Sequence, residues 1–93
     1  MILHTLNTSP SDRTAFQTCA ASLSEDDSLL LIEEAVYWLL PHHKNELTRL
    51  HARIVALEPD LLARGIPPDG VSCVDDAGFV ELAVNHDSVI NWF

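Results

Sequence analysis

The sequence predicts a small three-layer α/β fold: a mostly parallel five-stranded sheet with helices on both faces, in one domain over residues 1–93. Three observations predict it. Short apolar runs alternate with helix-period segments along the chain, the pattern of successive β-α-β units. One run, "SLLLI" at 28–32, is continuously apolar between polar flanks, as suits a strand covered on both faces. Turn clusters such as "NTSPSD", "SEDD" and "IPPDG" separate the segments, and none widens into a linker, a repeat or a low-complexity tract.

Each element follows from local chemistry. "MILHTL" reads as the first strand. After the turn at Pro10, Ser11 or Asp12 is placed to cap a helix running to about Leu23. In that helix Phe16, Cys19, Ala20 and Leu23 fall at i, i+3, i+4 and i+7, one apolar stripe. "SLLLI" is the second strand. "EEAVYWLLP" predicts a short helix ended by Pro41, and the polar "HHKNELTRLHA" a further helix or loop. "RIVAL" is a third strand, rich in β-branched residues. "PDLLARG" is a short helix whose Gly65 suits a C-terminal cap. "VSCV" is a short fourth strand. "DDAGFVELAVNH" is a helix with acids at its N-terminus, where the helix dipole favours them. "VINWF" is a final edge strand.

Composition narrows the function. A chain of 93 residues buries only roughly 60–65% of its unfolded surface. Yet 47% of this one is hydrophobic, more than a thin core readily hides. The surplus predicts a partner surface, with a tightly packed monomer as the other reading. Val89, Ile90, Trp92 and Phe93 are the candidate partner interface, because aromatic residues on a short apolar edge make good anchors. The net charge is −9: fourteen acids stand against Arg13, Lys44, Arg49, Arg53 and Arg64. Such a surface repels phosphate, so direct nucleic-acid binding is not expected. "LLLIEEAVYWLL" is interrupted by Glu33 and Glu34 and is too short to span a bilayer, so no membrane partner is expected either. Met1 leads into "ILHTL" with no charged leader region, and Cys19 and Cys73 have neither CxxC nor zinc spacing. A reducing cytoplasm with free thiols is the expected setting.

Few residues offer chemistry. Cys19 is the one candidate nucleophile, read either as a working thiol or as a core residue. It lies on the apolar stripe with no Lys or His within a helical turn, and a buried, unassisted thiol is inert. Cys73 sits inside a short strand. His42, His43 and His51 complete no recognised metal spacing and read as a solvated loop. His4 reads as a satisfied core or edge residue, and His86 as a partner of a helix C-terminus. Glu33 and Glu34 follow the second strand, where α/β crevices open. Paired carboxylates there suit acid–base work, although adjacent side chains diverge. With no GxGxxG, Walker or GxSxG sequence, no cofactor is expected.

Three blocks are together similar to one family. "ILHTLNTSP", "LEPDLLARGI" and "DDAGFVELAVNHDSVINWF" carry an HT-x-N-x-SP start, a D-L-x-ARG block and a closing F-V-x-L…W, in order over nearly the whole chain. They resemble the TusB/DsrH family. One departure is "EEAVYW", where Ala35 replaces a glycine that often follows the acid. The resemblance implies a DsrE-like fold and a subunit, without activity alone, of a cytoplasmic sulfurtransferase complex. The implied partners are two related DsrE-like subunits (TusC/TusD-like or DsrE/DsrF-like) in a heterohexamer that relays persulfide sulfur. In TusB-type chains the sulfur goes toward 2-thiouridine at the tRNA wobble position. In DsrH-type chains it belongs to dissimilatory sulfur oxidation. The sulfur-carrying sibling has a cysteine eight residues before its "RG" glycine. Here that glycine resembles Gly65, and Leu57 stands at the cysteine's place. Some DsrH-type chains have a cysteine matching Cys19, which keeps a persulfide carrier using Cys19 as an alternative.

Overall fold

In the computed structural model, which describes residues 1–93, the strands are β1 (Ile2–Leu6), β2 (Ser28–Leu31), β3 (Arg53–Leu57), β4 (Ser72–Val74) and β5 (Ser88–Trp92). All pair in parallel, in the order β4-β3-β2-β1-β5. The helices are α1 (Thr14–Ser22), α2 (Pro41–Thr48), α3 (Glu58–Arg64) and α4 (Asp76–Asn85), with a 3-10 helix over Glu33–Leu39.

The strand order dictates which face each helix covers. From β1 to β4 every crossover steps the same way across the sheet, so right-handed connections place all their helices on one face. The β4–β5 crossover steps back over three strands and puts α4 alone on the other. The core is correspondingly unequal. On the crowded face Leu6, Leu29, Leu31 and Ala56 meet Phe16, Cys19, Trp38, Leu39, Leu47 and Leu61 in a cluster of 13 buried residues. On the α4 face Leu3, Leu30, Ile32, Val55 and Leu57 form a cluster of 5, capped by half-buried Phe79, Leu82 and Ala83. Alternation along β2 sends Leu29 and Leu31 to one cluster and Leu30 to the other, and all three are fully buried. Each contributes roughly 1.5–3 kcal/mol of burial free energy.

The predicted elements form with small shifts. Pro41 does not simply stop a helix. The 3-10 turn ends at Leu39 and Pro41 becomes the first residue of α2, where its missing N–H costs nothing. Residues 42–48 of the polar stretch are therefore helical. Neither Ser11 nor Asp12 is the N-cap of α1. Arg13 holds that position without a side-chain cap, and Asp12 Oδ1 accepts a long 3.4 Å bond from Thr14 N. Asp75 caps α4, accepting from Gly78 N at 2.8 Å. Gly78 also lets the helix approach β4, since a Cβ there would lie 2.8 Å from that of Val74. Gly65 ends α3 in the left-handed conformation at φ 64°.

A buried polar hub ties the sheet together. Asp27, just before β2, accepts from Ile2 N and Ser24 N at 3.0 Å each. Its Oδ2 also lies 3.0 Å from His4 Nε2, and Trp92 Nε1 donates to His4 Nδ1 at 3.0 Å. An indole N–H can only donate, so Nδ1 is the acceptor and Nε2 carries the proton given to Asp27. One carboxylate thereby couples β1, the β2 entry and the edge strand β5. Burial works to raise the Asp27 pKa, but the bonds from His4, Ile2 N and Ser24 N outweigh it and hold the carboxyl below its ordinary value.

Two stability predictions follow from these contacts. A Cβ at Gly65 meets nothing within 4 Å, so Gly65→Ala carries only the left-handed backbone cost. About 1 kcal/mol is expected in chemical denaturation. The depressed pKa of Asp27 means that its contribution is complete above the ordinary carboxylate range and is lost as pH falls through the folded-state value. Urea midpoints should drop steeply below about pH 4, and Asp27→Asn, although less stable at neutral pH, should flatten that limb.

Candidate functional site

In a parallel sheet reactive groups belong at the carboxyl ends of the strands. Here those ends bring together Asn7 and Thr8 after β1, Glu33 after β2, Glu58 after β3, Asp75 after β4 and Phe93 after β5. The row is acidic and carries no thiol.

Leu57 closes β3 and is the N-cap residue of α3. It is 8% exposed and packed into the smaller cluster. The position given by the resemblance to the relay cysteine is thus a strand-end, helix-entry position, filled by a side chain that cannot hold sulfur.

The two cysteines lie elsewhere. Cys19, on α1, is 1% exposed within the larger cluster. Burial, assisted by the negative charge of Asp27, pushes its thiol up to about 12. At neutral pH such a thiol stays protonated, and only the thiolate is nucleophilic. Cys73, on β4, is half-buried, and its pKa is raised by burial and by Glu58. Its Sγ faces Val71 O at 3.5 Å. No cation or histidine assists either sulfur.

Glu33 and Glu34 do not converge. Glu33 takes the left-handed conformation at φ 50°, and its N–H donates to Asp60 Oδ2 at 2.6 Å. Glu34 turns to Arg64, 3.0 Å away, and that ion pair raises the Arg64 pKa. Ala35, standing where the resemblance has glycine, is fully buried, and the left-handed turn is made by Glu33 two residues earlier. Asp60 and Arg64, both of the D-L-x-ARG block, therefore brace the β2 exit rather than react.

The histidines are dispersed. His4 belongs to the Asp27 hub. His86 Nδ1 donates to Leu82 O at 2.6 Å, a helix C-terminal carbonyl, and its Nε2 meets Ser28 Oγ at 3.0 Å. His42 and His43 are tilted neighbours at 4.1 Å, with His43 edge-on to Trp38. No three His, Cys, Asp or Glu side chains converge as metal ligands.

Of the predicted interface residues, Val89, Ile90 and Phe93 are exposed, whereas Trp92 is half-buried and bonded to His4. Val80 and Val84, exposed on α4, add to this apolar surface from outside the C-terminal strand. They sit four residues apart on a helix whose inward side is made by Phe79, Leu82 and Ala83, a periodicity that marks them in the sequence.

The family model described as DsrH-like protein matches residues 8–89. This chain belongs to the DsrH-like family. Membership supports a place as a sulfur-relay subunit in general terms. The fold is similar to the solution NMR structure of protein Tm0979 from Thermotoga maritima, with a TM-score of 0.69 and 21% identity over 94% of this chain and 95% of that one. None of the curated proteins matches the chain. No helix is long and apolar enough to cross a membrane.

Alkylation of the native protein at neutral pH should label Cys73 slowly and Cys19 hardly at all, with Cys19 reacting only on denaturation. Peptide mass spectrometry over time checks this. Cys19 labelling as fast as a free thiol would overturn the burial account.

Proposed function

We propose that this chain is a non-catalytic subunit of a cytoplasmic persulfide-relay complex, built with two related DsrE-like subunits into a heterohexamer. The observation that carries the proposal is Leu57 at the end of β3, together with a Cys19 thiol pushed up to about 12. In such a relay a thiolate on the recipient attacks the outer sulfur of the donor's persulfide. The S–S bond breaks, and the donor leaves as a thiolate. Every step needs an accessible thiolate of near-neutral pKa. This chain has none, so its part is to complete and hold the site of a sibling. Exposed Val80, Val84, Val89, Ile90 and Phe93 supply apolar area for that contact.

We assign the relay to 2-thiouridine formation at the tRNA wobble position, on the resemblance of the three sequence blocks to TusB-type chains. A DsrH-type role in sulfur oxidation is the second reading, favoured by the name of the matching family. A strain lacking the gene separates them. Nucleoside analysis of its tRNA should show wobble 2-thiouridine strongly reduced, and Cys19→Ser should restore it as well as the parent gene does. Unchanged thiolation with impaired oxidation of stored sulfur would support the second reading. Failure of Cys19→Ser alone would support a carrier role for this chain.

A further inference from the structure

Beside the carboxyl ends of β1 and β5 lies a crevice of about 430 Å³, lined chiefly by Thr8, Asp12, Thr14, Thr18, Asn91 and Phe93. Its groups are unusually one-sided. Asp12 is the only charged side chain of the lining, and no cation pairs with it. Arg13, next in sequence, turns away to Glu46 and lies over the Trp38 ring, 5.1 Å from its centroid. Thr8 Oγ1 has no hydrogen-bond partner but is enclosed, out of reach of the crevice. The Thr18 hydroxyl is committed to Thr14 O at 3.0 Å, and Asn91 Oδ1 to the Thr5 hydroxyl. Phe93, 70% exposed, supplies an aromatic wall.

A carboxylate without a cationic partner and an aromatic ring, with no cationic side chain among the lining, select against an anion. A phosphate or carboxylate would meet the charge of Asp12 directly. A guanidinium or ammonium group would pair with Asp12 and stack on Phe93. We propose that this crevice receives an arginine or lysine side chain presented by a partner protein. A protein source fits the surroundings: the outer edge of β5 is unpaired, and Val89 and Ile90 beside it are exposed. An apolar patch with a basic anchor is a common interface composition. The net charge of −9 favours a basic partner over a second copy of this chain. The inference rests on the reading of the chain as a subunit and adds the chemistry by which it is gripped.

The test is an amide-resolved NMR titration of the whole chain with N-acetyl-arginine methylamide, N-acetyl-glutamate methylamide and spermidine. The arginine probe is expected to shift Thr8, Asp12, Thr14, Asn91 and Phe93, and the glutamate probe to leave them still. Asp12→Asn should weaken the arginine probe roughly five-fold, the upper range for an exposed ion pair. Phe93→Ala should weaken it without touching the fold, which unshifted core amides report. Three results would overturn the proposal: no shift at these residues, equal shifts from the glutamate probe, or shifts from spermidine alone, which would mark a free polyamine site. Sulfur transfer is read separately by wobble thiolation, so either idea can fail without the other.

Discussion

One buried carboxylate organises the molecule. Asp27 takes its hydrogen bonds from the backbone of β1, from the turn ahead of β2 and from His4, and His4 is in turn held by Trp92 of β5. Removing any donor would leave a desolvated charge or ring nitrogen, which is far costlier than the bond itself is stabilising. The hub fixes β5 against β1, and with it the exposed edge formed by Val89, Ile90 and Phe93. It also charges the neighbourhood of Cys19. The same carboxylate that locks the sheet thus helps to keep the Cys19 thiol protonated.

Desolvation is the second constraint, and it governs the reactivity of the buried thiol. A relay thiol needs water or a cation near it. Cys19 has Phe16, Leu29 and Trp38 among its cluster instead. At the carboxyl edge, where a sulfur would be accessible, the chain offers Leu57 and a row of acids. Residues that carry the family resemblance prove to be supports. His4 and Trp92 bond to each other, Asp60 and Arg64 hold the β2 exit, and Gly65 turns the chain out of α3.

Much of this was legible in the sequence because it is local or periodic. The apolar run at 28–32 marked the central strand, Gly65 marked a helix end, and the stripe through Phe16 and Cys19 marked a buried thiol. The unequal division of helices was not read from the element order, because it depends on β5 returning to pair with β1. Nor was the hub: Asp27 and His4 are 23 positions apart, and His4 and Trp92 are 88. The start of α2 was obscured by Pro41, which reads equally as a stop or as a first residue. The crevice at Asp12 was invisible for a similar reason. Its walls come from both ends of the chain, and only the parallel pairing of β1 with β5 brings them together.

The central claim is that this fold withholds an ionised sulfur of its own, which is what the proposed non-catalytic role rests on. Its most direct test is intact mass spectrometry of the isolated native protein after exposure to a polysulfide donor and gel filtration. The account predicts no gain of a sulfur atom, with uptake appearing only after unfolding. A native protein that gains one sulfur on Cys19 and surrenders it to an acceptor thiol would contradict it.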